Sequence, residues 1–199
     1  MSLKKAYLIV FLILLVDQIS KIYIKTNFKL DEYVEVLGLD WFRIHFIENE
    51  GMAWGAEIPG QYGKLFLTLF RIVAVVGIGW WLQDSIKKRH SNYLIVSIAL
   101  ILAGAFGNII DSVFYGVIFD HSNGQVATLF SDNPYGTWFH GKVVDMFYFP
   151  IWSGNLPNWL PIWGGKFFTF FNAIFNVADA AISVGVGILI VFNKKAFAK

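Results

Sequence analysis

Ionisable and amide side chains stand in the most apolar stretches of this chain. Asp17 and Lys21 follow the run Ala6 to Val16, and Asn108 and Asp111 close a second run. Asn172, Asn176 and Asp179 open a last one, and Asp145 lies within Lys142-Val143-Val144-Asp145-Met146-Phe147-Tyr148-Phe149. Each charge inside a membrane costs about 2.5 to 3.5 kcal/mol on insertion scales, so chemistry is sought there first. Two carboxylates with neighbouring amides suit general acid–base activation of water, as in an aspartic dyad. The competing chemistry is an ion or proton path through a small transporter or assembly factor, which also uses intramembrane carboxylates. His45, His90, His121 and His140 are scattered, no His-Glu-x-x-His occurs and Cys is absent. No metal site, thiol nucleophile or cofactor is therefore expected.

The spacing predicts shared faces. Asn172, Asn176, Asp179 and Ser183 step by four, three and four, a helical stripe. Gly104 with Asn108, Gly107 with Asp111, and Ala181 with Gly185 are each four apart, so small residues admit close helix approach beside the polar groups. Asp17 and Lys21 form an i,i+4 acid-to-base pair, readable either as self-neutralising or as a substrate-side group. At about 1.5 Å per residue, Asp17, Asn108, Asp111 and Asp179 all fall in one half of their segments.

The elements that must position these groups are membrane helices. The 199 residues are 56% apolar and 15% charged, with mean hydropathy +0.56. Soluble domains carry about 25% charged residues. A net charge of +2 gives no polyanion footprint, so nucleic acid is not an expected partner. Four spans are predicted, at about 6–24, 65–82, 93–114 and 173–192, in a single polytopic domain 1–199. The first is read as uncleaved, since no small-x-small site follows it. Eight basic residues (Lys4, Lys5, Lys87, Lys88, Arg89, Lys194, Lys195 and Lys199) crowd the three short flanks. The positive-inside rule then places both termini in the cytoplasm and the connections 25–64 and 117–172 outside. The first outer connection carries two strand-like runs, Tyr33 to Leu37 and Phe42 to Ile47, about a turn. Trp152, Trp159 and Trp163, among Pro150, Pro157 and Pro161, suit an interfacial belt. The expected fold class is membrane all-α, four helices with a small extracytoplasmic β-strand-containing region.

Five ordered motifs then carry a resemblance. They are Val16-Asp17-Gln18-Ile19-Ser20-Lys21; Asn49-Glu50-Gly51-Met52-Ala53-Trp54-Gly55; Gly104-Ala105-Phe106-Gly107-Asn108-Ile109-Ile110-Asp111; Val143-Val144-Asp145-Met146-Phe147; and Phe175-Asn176-Val177-Ala178-Asp179-Ala180-Ala181-Ile182. Together they resemble the lipoprotein signal peptidase family, the type II signal peptidases of bacterial membranes. The resemblance implies an aspartic endopeptidase that removes signal peptides from diacylglyceryl-modified prolipoproteins. It would act at the outer face of the cytoplasmic (inner) membrane, as a multi-pass monomer in contact with membrane lipids. Asp145 and Asp179 would be the catalytic dyad. Asp17, Lys21, Asn49, Gly51, Gly55, Asn108, Asp111, Asn172 and Asn176 would support the dyad or the lipid-bearing substrate.

Two features depart from the family pattern: Ser112 stands where Arg commonly follows the acid of the third motif, and the stretch 117–140 separates span three from the dyad segment. Other membrane proteases fit less well. Ser20 and Lys21 are neighbours on a helix, about 100° apart, and cannot meet as nucleophile and base. The Gly-x-Gly-Asp of presenilin-like enzymes is missing.

Overall fold

The computed structural model describes residues 1–50 and 62–198. Among these residues, three helices are long and apolar enough to cross a membrane: α1 (Leu3–Lys25), α2 (Gly63–Lys87) and α3 (Asn92–Ile118). A shorter apolar helix, α4 (Val177–Val191), packs closely on α3. Ser2 caps α1 and Ser91 caps α3, each accepting from a backbone N–H three residues on. The outward faces are lined by residues such as Leu8, Phe11 and Ile19 on α1 and Phe66, Phe70 and Val73 on α2, the surface that lipid rather than protein must cover.

α4 begins later than the predicted start near residue 173. Ile174–Phe175 is instead a strand, β6, and Asn176 is the N-cap. Asn172 therefore lies off the helix, and the four-residue stripe expected of it is not formed. The reason is pairing: Phe147 and Tyr148 bond Phe175 and Ile174 across an antiparallel ladder. Tertiary pairing of aromatic and β-branched residues overrides the local helical period.

The strands form a four-stranded antiparallel sheet in the order β1 (Tyr33–Glu35), β2 (Arg43–Asn49), β3 (Val143–Tyr148), β6. A bulge in β2 between Ile44 and Ile47 shifts the register, so that Ile47 faces Asp145 and Asn49 faces Val143. A separate hairpin, β4 (Trp152–Asn155) with β5 (Phe167–Phe170), lies between β3 and β6 in the chain. It and its loop expose Trp152, Trp159, Ile162, Trp163, Phe167 and Phe170.

The inserted stretch 117–140 leaves and re-enters the fold at one point. Gly136 donates to the Gly116 carbonyl at 2.9 Å and Gly141 to that of Ser112 at 2.9 Å. A Cβ on Gly141 would lie 2.0 Å from the Asp111 carbonyl oxygen, so only glycine permits this approach. The ends of the insertion touch, and the loop closes without displacing the helix or β3. Its body is held by buried Lys25, which pairs with Glu48, donates to the Ser122 hydroxyl at 2.9 Å and lies over the rings of Phe119 and Tyr135.

Two apolar cores result. One gathers Ala6, Val10, Leu82, Ile95, Ile98 and Leu102 between the helices. The other gathers Ile24, Phe46, Tyr115, Phe119, Val144 and Met146 beneath the sheet. Between them lies a layer of buried polar groups that includes Asp17, Lys21, Asp111, Asp145 and Asn176.

Candidate active site

The first turn of α4 is built by a reciprocal cap. The Asn176 side-chain oxygen accepts from the Asp179 N–H at 2.9 Å, and Asp179 Oδ2 accepts from the Asn176 N–H at 3.3 Å. Asp17 of α1 reaches across to accept the Ala178 N–H at 2.9 Å, so a second helix satisfies the same buried helix N-terminus. Asn176 Nδ2 then donates to Asp145 Oδ1 at 2.7 Å and to Asn108 Oδ1 at 3.1 Å, and Asn108 Nδ2 donates to Asp179 Oδ1 at 2.8 Å. Two amides thus connect the carboxylates of β3 and α4. Asn49 of β2 donates to the other oxygen of Asp145 at 3.1 Å.

Lys21 is the hub behind this relay. Its ammonium lies 3.0 Å from Asp17, 2.8 Å from Asp111 and 2.9 Å from Asn108 Oδ1. Three donors thereby meet three acceptors. Because Lys21 claims the Asn108 oxygen, the Asn108 NH₂ is turned towards Asp179. Gln18 joins Asp17 at 3.0 Å to Asp111 at 2.9 Å and accepts from the Tyr115 hydroxyl at 3.2 Å. Asp111 sits where α3 widens into a π turn over Asp111–Tyr115, and it accepts the Val144 N–H at 3.3 Å. The strand carrying Asp145 is therefore tied to α3 one residue away. Burial first, and then the charge of Asp179, push the Asp145 carboxyl up to about 7, against the amide of Asn49.

The two acids stand on different elements, Asp145 buried on β3 and Asp179 half-buried at the start of α4. The family profile described as signal peptidase (SPase) II matches residues 9–194. The chain belongs to the signal peptidase II family. A lipoprotein signal peptidase of Porphyromonas gingivalis is 51% identical over 185 residues, covering 92% of this chain and 80% of the relative. One of Amoebophilus asiaticus is 37% identical over 198 residues, covering 96% and 78%. A bacterial membrane enzyme solved by the in meso method at 2.3 Å shares the fold, with TM-score 0.65 and 24% identity over 99% of this chain and 93% of that one.

In this signal peptidase II, Asp17, Lys21, Asn49, Asn108, Asp111, Asp145, Asn176 and Asp179 converge on one network. Asn172 does not join it, accepting instead from the Tyr148 hydroxyl at 2.9 Å. Gly51 and Gly55 lie outside the described residues. Sequence reasoning assigned no role to Gln18, Tyr115 or Arg71. Arg71 had a visible signal, a guanidinium inside the apolar run Leu65 to Leu82. Gln18 and Tyr115 had none, since their contact joins residues 97 apart.

Proposed function

We propose that Asp145 and Asp179 are the catalytic dyad of an aspartic endopeptidase that cleaves signal peptides from diacylglyceryl-modified prolipoproteins at the outer face of the cytoplasmic membrane. The observation that carries this reading is the relay Asp145–Asn176–Asn108–Asp179, which holds two carboxylates from different elements on one pair of amides. In the mechanism, Asp145 holds the shared proton and Asp179 takes a proton from water as its oxygen bonds to the scissile carbonyl carbon. Asp145 passes its proton to the carbonyl oxygen, giving a neutral tetrahedral diol. The diol then returns a hydroxyl proton to Asp145, while Asp179 gives its proton to the amine nitrogen as the C–N bond breaks. The acid is released and the dyad regains its starting state. Asp17, Lys21, Asp111 and Asn49 position these groups.

The basic flanks support an orientation with both termini cytoplasmic, with α4 as the fourth crossing and the network towards the outer face. The exposed Trp and Phe residues of the β4–β5 hairpin suit that outer interface.

The test is cleavage of a lipidated precursor by purified protein in detergent. Asp145→Asn and Asp179→Asn are each expected to lower turnover by about 1,000-fold or more, with the double variant no worse than either single one. Chelators should leave the rate unchanged. Activity within tenfold of wild type in either single variant, with folding retained, would rule the dyad out.

A further inference from the structure

α2 presents a continuous inward stripe, with Thr68 and Leu82 buried and Ile72, Val75 and Ile78 half-buried, while Phe66, Leu69, Phe70, Val73, Val76 and Trp80 point outward. Arg71 belongs to the inward stripe. It lies eight residues from the start of α2, about 12 Å along the axis, among apolar neighbours. Thr68, one turn earlier, donates to the Phe139 carbonyl at 3.2 Å and fixes the rotation of the helix.

The other cations near the polar layer are committed. Lys21 meets three acceptors, Lys25 pairs with Glu48, Lys64 with Glu50, and Lys142 stands 3.5 Å from Glu50. Among the described residues, Arg71 makes no hydrogen bond and no ion pair. It stands within the field of the Asp179 carboxylate without touching it. An uncommitted guanidinium on the inward face of a membrane helix is costly, and no protein group among the described residues accepts from its five N–H donors. The acceptor most consistent with that position is one that arrives with the substrate.

We propose that Arg71 is a substrate-binding residue whose guanidinium receives a carbonyl oxygen of the bound precursor beside Asp179. The oxygen is either a peptide carbonyl near the cleavage site or an ester carbonyl of the diacylglyceryl group, both neutral acceptors that a planar donor fork can hold. This rests on the dyad reading, because it places the substrate against Asp179.

Binding is measured in an Asp145→Asn background, where the precursor is not consumed. Adding Arg71→Gln is expected to weaken binding of the lipidated precursor by about tenfold or more, the loss of one charge-assisted hydrogen bond. Arg71→Lys should recover part of it. With Asp145 present, Arg71→Gln should raise KM, with kcat and the pH profile little changed. A precursor with ether-linked chains separates the two sources. Loss confined to the ester-linked substrate identifies the lipid carbonyl, and equal loss with both identifies the peptide carbonyl. Binding within twofold of the parent in both Arg71 variants would overturn the proposal. So would a shifted pH profile with unchanged binding, which would mean that Arg71 acts on the dyad's charge. Cleavage by Asp145→Asn alone would instead overturn the dyad and leave the binding result to be read by itself.

Discussion

Asp145 is buried on β3, and its carboxyl is pushed up to about 7 because burial and the Asp179 charge oppose ionisation. The shared proton is present below that pH and lost above it. kcat/KM is therefore expected to fall as pH rises through about 7, measured against a buffer-matched series. The same shift is a stability statement. Between the unfolded value of 3.8 and about 7 the folded protein holds a proton that the unfolded chain releases, so stability drops across that window and is level above it. Asp145→Asn should remove that part of the slope in a plot of Tm against pH. Lys21 gives a second prediction. Removing it leaves Asp17 and Asp111 both unpaired, and breaking a buried pair typically costs about 3 to 5 kcal/mol. Lys21→Met should lower Tm sharply, and adding Asp17→Asn should recover only part, because Asp111 remains. An unchanged Tm in Lys21→Met would argue against the hub.

At the scale of elements, the site depends on how closely α4 lies against α3. A Cβ on Gly104 would meet the Ala178 carbonyl oxygen at 2.1 Å and the Ile182 side chain at 2.6 Å. Ala178 immediately precedes Asp179, so any displacement there moves one carboxylate relative to Asn108. Gly104→Ala should destabilise by about 1 to 3 kcal/mol, the usual cost of overpacking, and cut cleavage more than tenfold. Gly187, on the same helix as Asp179, has open space around it. Gly187→Ala is the matched control and should leave both Tm and rate nearly unchanged. The expected close approach of small residues is thus realised at Gly104, and again at Gly185, where a Cβ would meet the Ser97 carbonyl oxygen at 2.8 Å.

For the whole molecule, the prediction concerns orientation. A reporter active only in the cytoplasm should be bright when fused after Arg89 or Lys199 and dark when fused after Gly124, as the basic flanks require. A bright Gly124 fusion would put the polar layer at the opposite membrane face. What the sequence by itself determined follows from local or additive properties. Apolar runs reveal membrane helices because the bilayer selects on composition over about 20 residues. Short motifs mark the family because Asp17, Asn108, Asp145 and Asp179 each stand within a contiguous run of residues that a linear reading captures. What only the tertiary structure decided depends on contacts between distant residues, which leave no period in the chain. The β2 bulge brings Asn49 to Asp145, 96 residues away, and β3 turns Ile174 and Phe175 from helix to strand. Gly116 and Gly141 meet and so make room for a long insertion. Arg71 could be seen as a charge in an apolar run, but its inward aim was set by the rotation of α2. A helix face is chosen by the neighbours it packs against, and those neighbours come from elsewhere in the chain.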